Sequence, residues 1–186
     1  YTQATSNGKN TFDLNESADI ILSGFGFNNS GGKSKLNHPV SVSSNGERLA
    51  VTDRFNNRIL IWNSVPNKKT DPDIVIGQQN FITQNHGSGL NQLNFPGQVI
   101  ITPDNKMLVA DSENHRVLVW TTFPTVSGQS ADYAIPVTNY VDMGDSWPWG
   151  VWSNGEKTII TATVAENVLL WNSFPGPSTP PDVVLY

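Results

Sequence analysis

Acidic and basic side chains recur at a fixed spacing in two similar stretches. "DRFNNR" runs from Asp53 to Arg58, and "DSENHR" runs from Asp111 to Arg116. A carboxylate and a guanidinium at this spacing could be catalytic, or they could stabilise a turn. A catalytic residue normally occurs once, whereas a turn-stabilising residue recurs with the fold. Because the two pairs recur in register, we predict that each aspartate accepts backbone and guanidinium hydrogen bonds near a turn.

A second set of candidate residues lies beside three prolines. His38, Phe95 and Trp147 each precede a proline, and Trp149 follows the third of these prolines. Aromatic rings can stack on a sugar ring, a peptide or a flat ligand. We therefore predict that these four residues bind a ligand. The alternative is that the rings pack between structural units or fill a central channel.

The elements that would position these residues repeat along the chain. Trp62, Trp120 and Trp171 lie 58 and 51 residues apart, in the frames "RILIWNSVP", "RVLVWTTFP" and "NVLLWNSFP". An aspartate opens a further apolar run eleven or twelve residues after each tryptophan. A period of this length predicts a repeat architecture, in which the tryptophans fill the space between neighbouring units.

Each unit contains four short apolar runs separated by turn residues. In the first unit these runs are Val40–Ser43, Leu49–Thr52, Ile59–Trp62 and Asp73–Ile76. Short β-branched runs between Asn-Gly, Asn-Asn or Pro-Asn turns predict antiparallel strands. No window shows a helical period with caps at both ends. Four strands in a unit of about 50 residues are typical of a β-propeller blade.

The repeated pattern resembles the NHL repeat. The resemblance rests on a proline-led opening, an Asn-Gly or Asp-Asn turn, the phrase "ADSENHRVLVW", and a closing strand that ends in glycine. It implies an all-β propeller of four-stranded antiparallel blades, with six blades in a complete ring. The divisions that we predict are a polar tail or degenerate strand at 1–17, an outer strand and inter-blade loop at 18–34, and blades at 35–81, 82–137 and 138–186.

The third unit departs from the pattern. Our alignment places Thr163 where the other units have Asp53 and Asp111, deletes one residue, and finds no counterpart of the two arginines. A leading outer strand is predicted at Asp19–Leu22, ahead of the first complete unit.

Three blades are too few to close a ring, because propellers usually have four to eight. An open set of blades would expose an apolar face at each end, and such faces need partners. We predict that a protein partner or a second copy of the chain completes the ring. The chain could equally be a fragment of a longer propeller, or the polar tail could complete a fourth blade.

Metal chemistry has few candidate ligands. The chain has three histidines and no cysteine, and only His38 precedes a strand where ligands could converge on a channel. A zinc site needs three or four convergent ligands. We predict no cofactor and no metal site, with Ca²⁺ or Zn²⁺ in the channel as the alternative.

The composition limits the classes of partner. A net charge of −5 and the absence of clustered Lys and Arg argue against nucleic acid, and no apolar run is long enough to span a membrane. The surface, rich in Asn, Ser and Thr, favours an extracellular or cell-surface protein. Asn15 and Asn28 begin Asn-x-Ser sequences that could carry glycans in an exported protein.

These observations favour a non-catalytic protein that binds or scaffolds other proteins through propeller surfaces. One alternative is a metal-dependent lyase or lactonase of the six-bladed type. Another is a propeller that binds glycans or small ligands.

Overall fold

The computed structural model describes residues 18, 20, 22, 31–33, 35–142 and 145–186. Across these residues the protein is all-β, with three four-stranded antiparallel sheets, three short 3-10 turns and no α-helix. No helix in this part of the chain is long and apolar enough to cross a membrane. The predicted tail at 1–17, both sequons, and Asp19 and Ile21 of the predicted leading strand lie outside the described residues.

The strands of each sheet follow one another in chain order. The first sheet contains β1 (Pro39–Ser44), β2 (Leu49–Asp53), β3 (Arg58–Trp62) and β4 (Ile74–Ile76). The second contains β5 (Val99–Ile101), β6 (Met107–Asp111), β7 (Arg116–Trp120) and β8 (Tyr133–Pro136). The third contains β9 (Pro148–Ser153), β10 (Thr158–Ala162), β11 (Asn167–Trp171) and β12 (Val183–Leu185).

The four apolar runs predicted for the first unit are confirmed as strands to within a residue. Turn chemistry explains why the runs end where they do. The Asn45 side-chain oxygen accepts from the backbone N–H groups of Glu47 and Arg48, at 3.1 and 2.9 Å. Gly46, which follows Asn45, has φ = 92°, a conformation that glycine adopts without a Cβ penalty.

Each sheet has two faces, because successive side chains on a strand point to opposite sides. We call the side toward the preceding sheet the leading face and the side toward the following sheet the trailing face. Trp62, Trp120 and Trp171 all lie on leading faces, and all three are buried.

Two hydrophobic cores join the three sheets. In the first core, the trailing face of the first sheet packs against the leading face of the second. The trailing residues in this core are Ala50, Ile59, Ile61, Ile74 and Ile76, and the leading residues include Val99, Met107, Val109, Leu118 and Trp120. In the second core, the trailing face of the second sheet (Leu108, Val117, Val119 and Ile135) packs against Val151, Ile160, Leu169 and Trp171 of the third.

The leading face of the first sheet is covered only in its outer half. Leu60, Trp62 and Val75 are buried there by residues that include Leu22 and Phe81. In the inner half, by contrast, Val42 is 66% exposed.

The innermost strands of the three sheets lie beside one another. The Ser41 and Ser43 hydroxyl oxygens of β1 accept from backbone N–H groups of β5 at 3.3 and 2.9 Å. Gln98 Oε1, just before β5, accepts from the Val151 N–H of β9 at 2.8 Å. These bonds bring the starts of all three inner strands, with their preceding residues, to one end of the molecule.

Candidate functional site

Asp53 is the centre of a buried hydrogen-bond network. Its carboxylate accepts from Arg58 Nε at 2.7 Å, from the Asn56 side chain at 2.8 Å and from the Asn37 N–H at 2.6 Å. Both side chains of the Asp53–Arg58 ion pair are fully buried. The rest of the guanidinium donates to the carbonyl oxygens of Phe81, Gly32 and Lys35. The pair therefore ties the β2–β3 turn to the loop that precedes β1.

The second sheet repeats this network in register. Asp111 accepts from Arg116 Nε, the Asn114 side chain and the Asn94 N–H, each at 2.8 Å. Arg116 in turn donates to loop carbonyls, including those of Ser88 and Gly89. Burial raises the pKa of the Asp111 carboxyl, and its hydrogen bonds and Arg116 partly oppose that effect. In both sheets these contacts join the turn between the second and third strands to the loop before the first strand, as the sequence predicts for a turn-stabilising pair.

The third sheet requires a correction to the sequence alignment. Strand pairing places Ala162 opposite Asn167, just as Asp53 pairs with Arg58. The counterpart of the aspartate is therefore Ala162 and not Thr163, and Asn167 replaces the arginine with no residue deleted. The alignment was wrong by one residue because alanine at this position gave no recognisable signal.

The three tryptophans share a second repeated contact. The indole N–H of Trp62, Trp120 and Trp171 donates to a carbonyl eight or nine residues further on, at 2.8, 3.3 and 2.9 Å. Each ring thus fills the core while its one polar atom fixes the loop before the outer strand.

The three residues before the opening prolines share an unusual backbone conformation. His38, Phe95 and Trp147 have φ values of 53°, 46° and 37°. Left-handed geometry is uncommon for bulky residues and costs free energy. It occurs in all three sheets while the side chain changes from imidazole to phenyl to indole. The repeat therefore requires the backbone conformation and leaves the side chain free to differ.

The structure joins three of the four predicted ligand-binding residues into one aromatic cluster. The His38 and Phe55 rings stack with centroids 4.1 Å apart, and Phe55 meets the edge of Phe95 at 5.3 Å. The Arg54 guanidinium lies 5.6 Å from the Phe95 ring centroid and 4.4 Å from that of Trp149. We call these five residues the aromatic–arginine cluster. Trp147 shares the backbone geometry but does not belong to this series of ring contacts.

Arg54 links all three sheets. It follows β2 of the first sheet, and its Nη1 donates to the Phe95 and Pro96 carbonyls of the second unit at 2.6 and 3.2 Å. Its charge lies over the Trp149 ring of the third sheet. Burial lowers the pKa of the guanidinium, and Glu113 partly opposes this effect, but an arginine stays charged at neutral pH. The guanidinium thus makes a cation–π contact that favours this position of the Trp149 indole.

Sequence reasoning missed Arg54 and Phe55 because both lie inside the repeated turn. A usable signal was nevertheless present. The counterparts of Arg54 are Ser112 and Thr163, so this position varies inside a frame that otherwise repeats. Phe55 gave no comparable signal, because its 42% exposure is visible only in the structure.

An open cleft of about 260 Å³ adjoins the cluster. Its walls come from the three inner strands and their approaches: Val40, Ser41, Val42, Gly97, Gln98 and Trp149. Gly97 lies between the wall formed by β1 and the wall formed by Trp149. A Cβ at position 97 would be only 2.7 Å from the Trp149 carbonyl oxygen. The wall is mixed, with two valines and an indole beside one hydroxyl and one carboxamide.

The described residues contain no group of three or more His, Cys, Asp or Glu side chains placed to hold a metal ion. Nδ1 of His115 lies 3.1 Å from a single carboxylate oxygen of Asp145.

The trailing face of the third sheet has no covering sheet among the described residues. Cross-strand pairing aligns Trp152, Ile159, Leu170 and Val183 in one row of this face, and Val168 and Leu185 in the next. Trp152 is 50% exposed, Val183 41% and Leu185 52%. On the first two sheets the counterparts of Val168 and Leu185 are completely buried, namely Ile59 and Ile76 on the first sheet and Val117 and Ile135 on the second.

No protein-family model matches the chain, and comparison with curated proteins finds no significant match. The NHL resemblance and the closed propeller ring therefore stay predictions.

Proposed function

We propose that this chain is a non-catalytic association module of the β-propeller type, and that its partner is a second copy of itself. The bare trailing face of the third sheet carries the proposal. Two groups of three sheets would together form a ring of six, within the usual range for propellers. An extracellular or cell-surface location remains part of the proposal, supported only by the composition.

The repeat itself supports a fourth sheet on this face. Ile59 and Ile61 of the first sheet, like their counterparts Val117 and Val119 of the second, are completely buried by the next sheet. The equivalent positions in the third sheet are also apolar, yet they are only partly buried. Exposed apolar faces of this kind mark association surfaces in soluble proteins.

Among the described residues, Lys157 of the third sheet lacks the contact with an aromatic ring that its counterparts in the first two sheets make. Arg48 of the first sheet lies 4.8 Å from the Phe123 ring of the second unit, and Lys106 of the second lies 4.6 Å from the Phe174 ring of the third. Lys157 follows the same turn but makes no ring contact in the described part of the chain. In the proposed dimer the counterpart of Phe123 and Phe174 is Val65 of the other copy, which has no ring but could pack against the aliphatic part of the Lys157 side chain.

The first sheet of another copy offers a suitable surface. The second and third sheets each pack against the preceding sheet through their leading faces, and the first sheet has a leading face of the same kind. Val42 and Val65 on that side are 66% and 45% exposed, whereas their counterparts Val99 and Phe123 are 0% and 6% exposed. The outer half of this leading face is already covered by residues of the same chain that include Leu22 and Phe81, so the second copy would pack against its open inner half. The two ends then present different, complementary faces, which favours head-to-tail pairing over pairing of two identical faces.

Light scattering tests this proposal directly. We expect the wild-type chain to have twice the 20.4 kDa chain mass. Val183→Asp, on the trailing face of the third sheet, and Val42→Asp, on the leading face of the first, should each give monomers because each places a charge in the interface. Val126→Asp is the matched control: Val126 is 59% exposed and belongs to neither face.

Three outcomes would contradict the proposal. A wild-type monomer would show that the bare face does not pair with a second copy. Loss of the dimer in Val183→Asp alone would indicate pairing between two identical faces. Species larger than a dimer would show that the contact repeats without closing a ring.

A further inference from the structure

We infer that the cleft beside Trp149 binds the ring of a neutral sugar, a hexopyranose, by stacking on the exposed indole. Val42 belongs both to the wall of this cleft and to the leading face used in the proposed association, but the inference rests on the Trp149 indole and does not require that association. Three observations support this inference. Part of the Trp149 indole is free, no charged side chain lines the cleft, and the size and polar groups of the cleft suit a single sugar ring.

One face of the Trp149 indole is already occupied. Arg54 lies 4.4 Å from the ring centroid, and two backbone carbonyls hold the guanidinium in place. Trp149 nevertheless remains 40% exposed and lines the cleft. The Arg54 contact favours one orientation of the indole, which reduces the ordering that a ligand would have to impose, and part of the ring stays free for that ligand.

The charge of the surroundings disfavours ionic ligands. A cation stacked on the free side would be repelled by Arg54 on the other side of the ring. No Lys, Arg, Asp or Glu is among the residues that line the cleft. An anionic group such as phosphate would find no cationic side chain in the wall, and the nearby Arg54 guanidinium lies against the indole and already donates to two backbone carbonyls. The cleft is thus suited to a neutral ligand.

The polar groups in the wall match a ligand that carries hydroxyls. The Ser41 hydroxyl oxygen accepts from the Val99 N–H, which leaves its own hydrogen available for donation. Gln98 Oε1 accepts from the Val151 N–H, so the orientation of the carboxamide is fixed and its NH₂ group is a donor. A pyranose presents C–H groups on its face, which an aromatic ring attracts, and hydroxyls at its edge, which these donors can bind.

The size of the cleft favours one ring. A volume of about 260 Å³ is slightly below the roughly 300–1,000 Å³ typical of pockets for drug-sized ligands. A ligand of about a dozen heavy atoms at ordinary efficiency binds with a Kd of about 1 mM. We therefore expect weak binding of a single residue, with tighter binding if a longer glycan also contacts the exposed Phe55 and His38 rings.

The experiment is a titration of the whole chain with the methyl pyranosides of glucose, galactose, mannose and N-acetylglucosamine, followed by tryptophan fluorescence and by calorimetry. We expect saturable binding of at least one of them in the millimolar range. Trp149→Ala should weaken that binding by about tenfold or more, and Trp149→Phe should weaken it less. Val126→Ala is the control, because Val126 is 59% exposed and belongs neither to the cleft nor to either end face.

Circular dichroism of each variant verifies that the fold is kept. Failure of all four pyranosides to bind at about 100 mM, a hundred times the expected Kd, would overturn the inference. Equal binding by Trp149→Ala and wild type would overturn it as well. A parallel titration with hexaproline tests a peptide ligand: saturable binding of hexaproline, with none of any pyranoside, would show that the cleft recognises a peptide.

Discussion

At the scale of single residues, the two aspartate–arginine pairs have the same structural role in two different sheets. Each carboxylate orients a guanidinium, and each guanidinium then binds the carbonyl oxygens of a loop. The first pair is fully buried, whereas Arg116 keeps 13% of its side chain exposed. A buried ion pair is costly to break because the remaining charge has lost its partner in a medium of low dielectric constant.

Removing the Asp53 carboxylate should therefore destabilise the protein strongly. We expect Asp53→Ala to lower the free energy of unfolding by about 3–5 kcal/mol, because Arg58 would keep a buried, uncompensated charge. Urea denaturation measures the change. Asp182→Ala is the control: Asp182 is exposed and accepts from the Asn172 N–H at 2.6 Å, so its loss should cost about 1 kcal/mol. Similar losses in the two variants would show that the buried pair is not the main stabilising contact at this turn.

At the scale of elements, the glycine that ends the fourth strand of the first sheet decides how the chain leaves that sheet. Gly77 has φ = 88°, and a Cβ at this position would lie 2.6 Å from Leu93 Cδ1 and 2.8 Å from the Asn57 carbonyl oxygen. The next loop crosses so close to the strand end that no side chain fits. Sequence reasoning noted the closing glycine but could not identify what approaches it.

A pair of glycine substitutions separates backbone strain from steric collision. Gly46 has nearly the same φ, 92°, and nothing lies within 4 Å of where its Cβ would be. We expect Gly46→Ala to cost about 1–2 kcal/mol through backbone conformation alone. Gly77→Ala should cost about 1–3 kcal/mol more, because Leu93 must also move. Equal midpoints in thermal or urea unfolding would show that the loop adjusts without cost.

The same scale shows what the sequence could and could not predict. The strands were predictable because the apolar runs, the turn dipeptides and the tryptophan frame recur in the same order in each unit of about 50 to 60 residues. The aromatic–arginine cluster was only partly predictable. His38, Phe95 and Trp149 were predicted from their positions beside the prolines, but Arg54 contacts Phe95 across 41 residues of sequence. Nothing local indicates such a contact, since it depends on how two sheets pack.

At the scale of the whole molecule, the two end faces determine how stability should respond to concentration. If two chains must separate before or as they unfold, mass action stabilises the folded dimer as protein concentration rises. For a chain of 186 residues with ordinary unfolding entropy, each tenfold rise in concentration should raise the Tm by about 2 °C.

Scanning calorimetry across a hundredfold range of concentration measures this shift. Val183→Asp should unfold at a Tm that does not depend on concentration, because the variant starts as a monomer. A constant Tm for the wild type, or the same shift in both proteins, would contradict the pairing of end faces.

The left-handed residue ahead of each opening proline has a practical consequence. The backbone at these three sites has the same left-handed conformation with an imidazole, a phenyl ring or an indole. The free-energy cost of that conformation therefore comes with the repeat and not with one particular side chain. We therefore expect an exchange of ring types among His38, Phe95 and Trp147 to leave the following strands in place, while it changes the ring contacts that His38 and Phe95 make with Phe55.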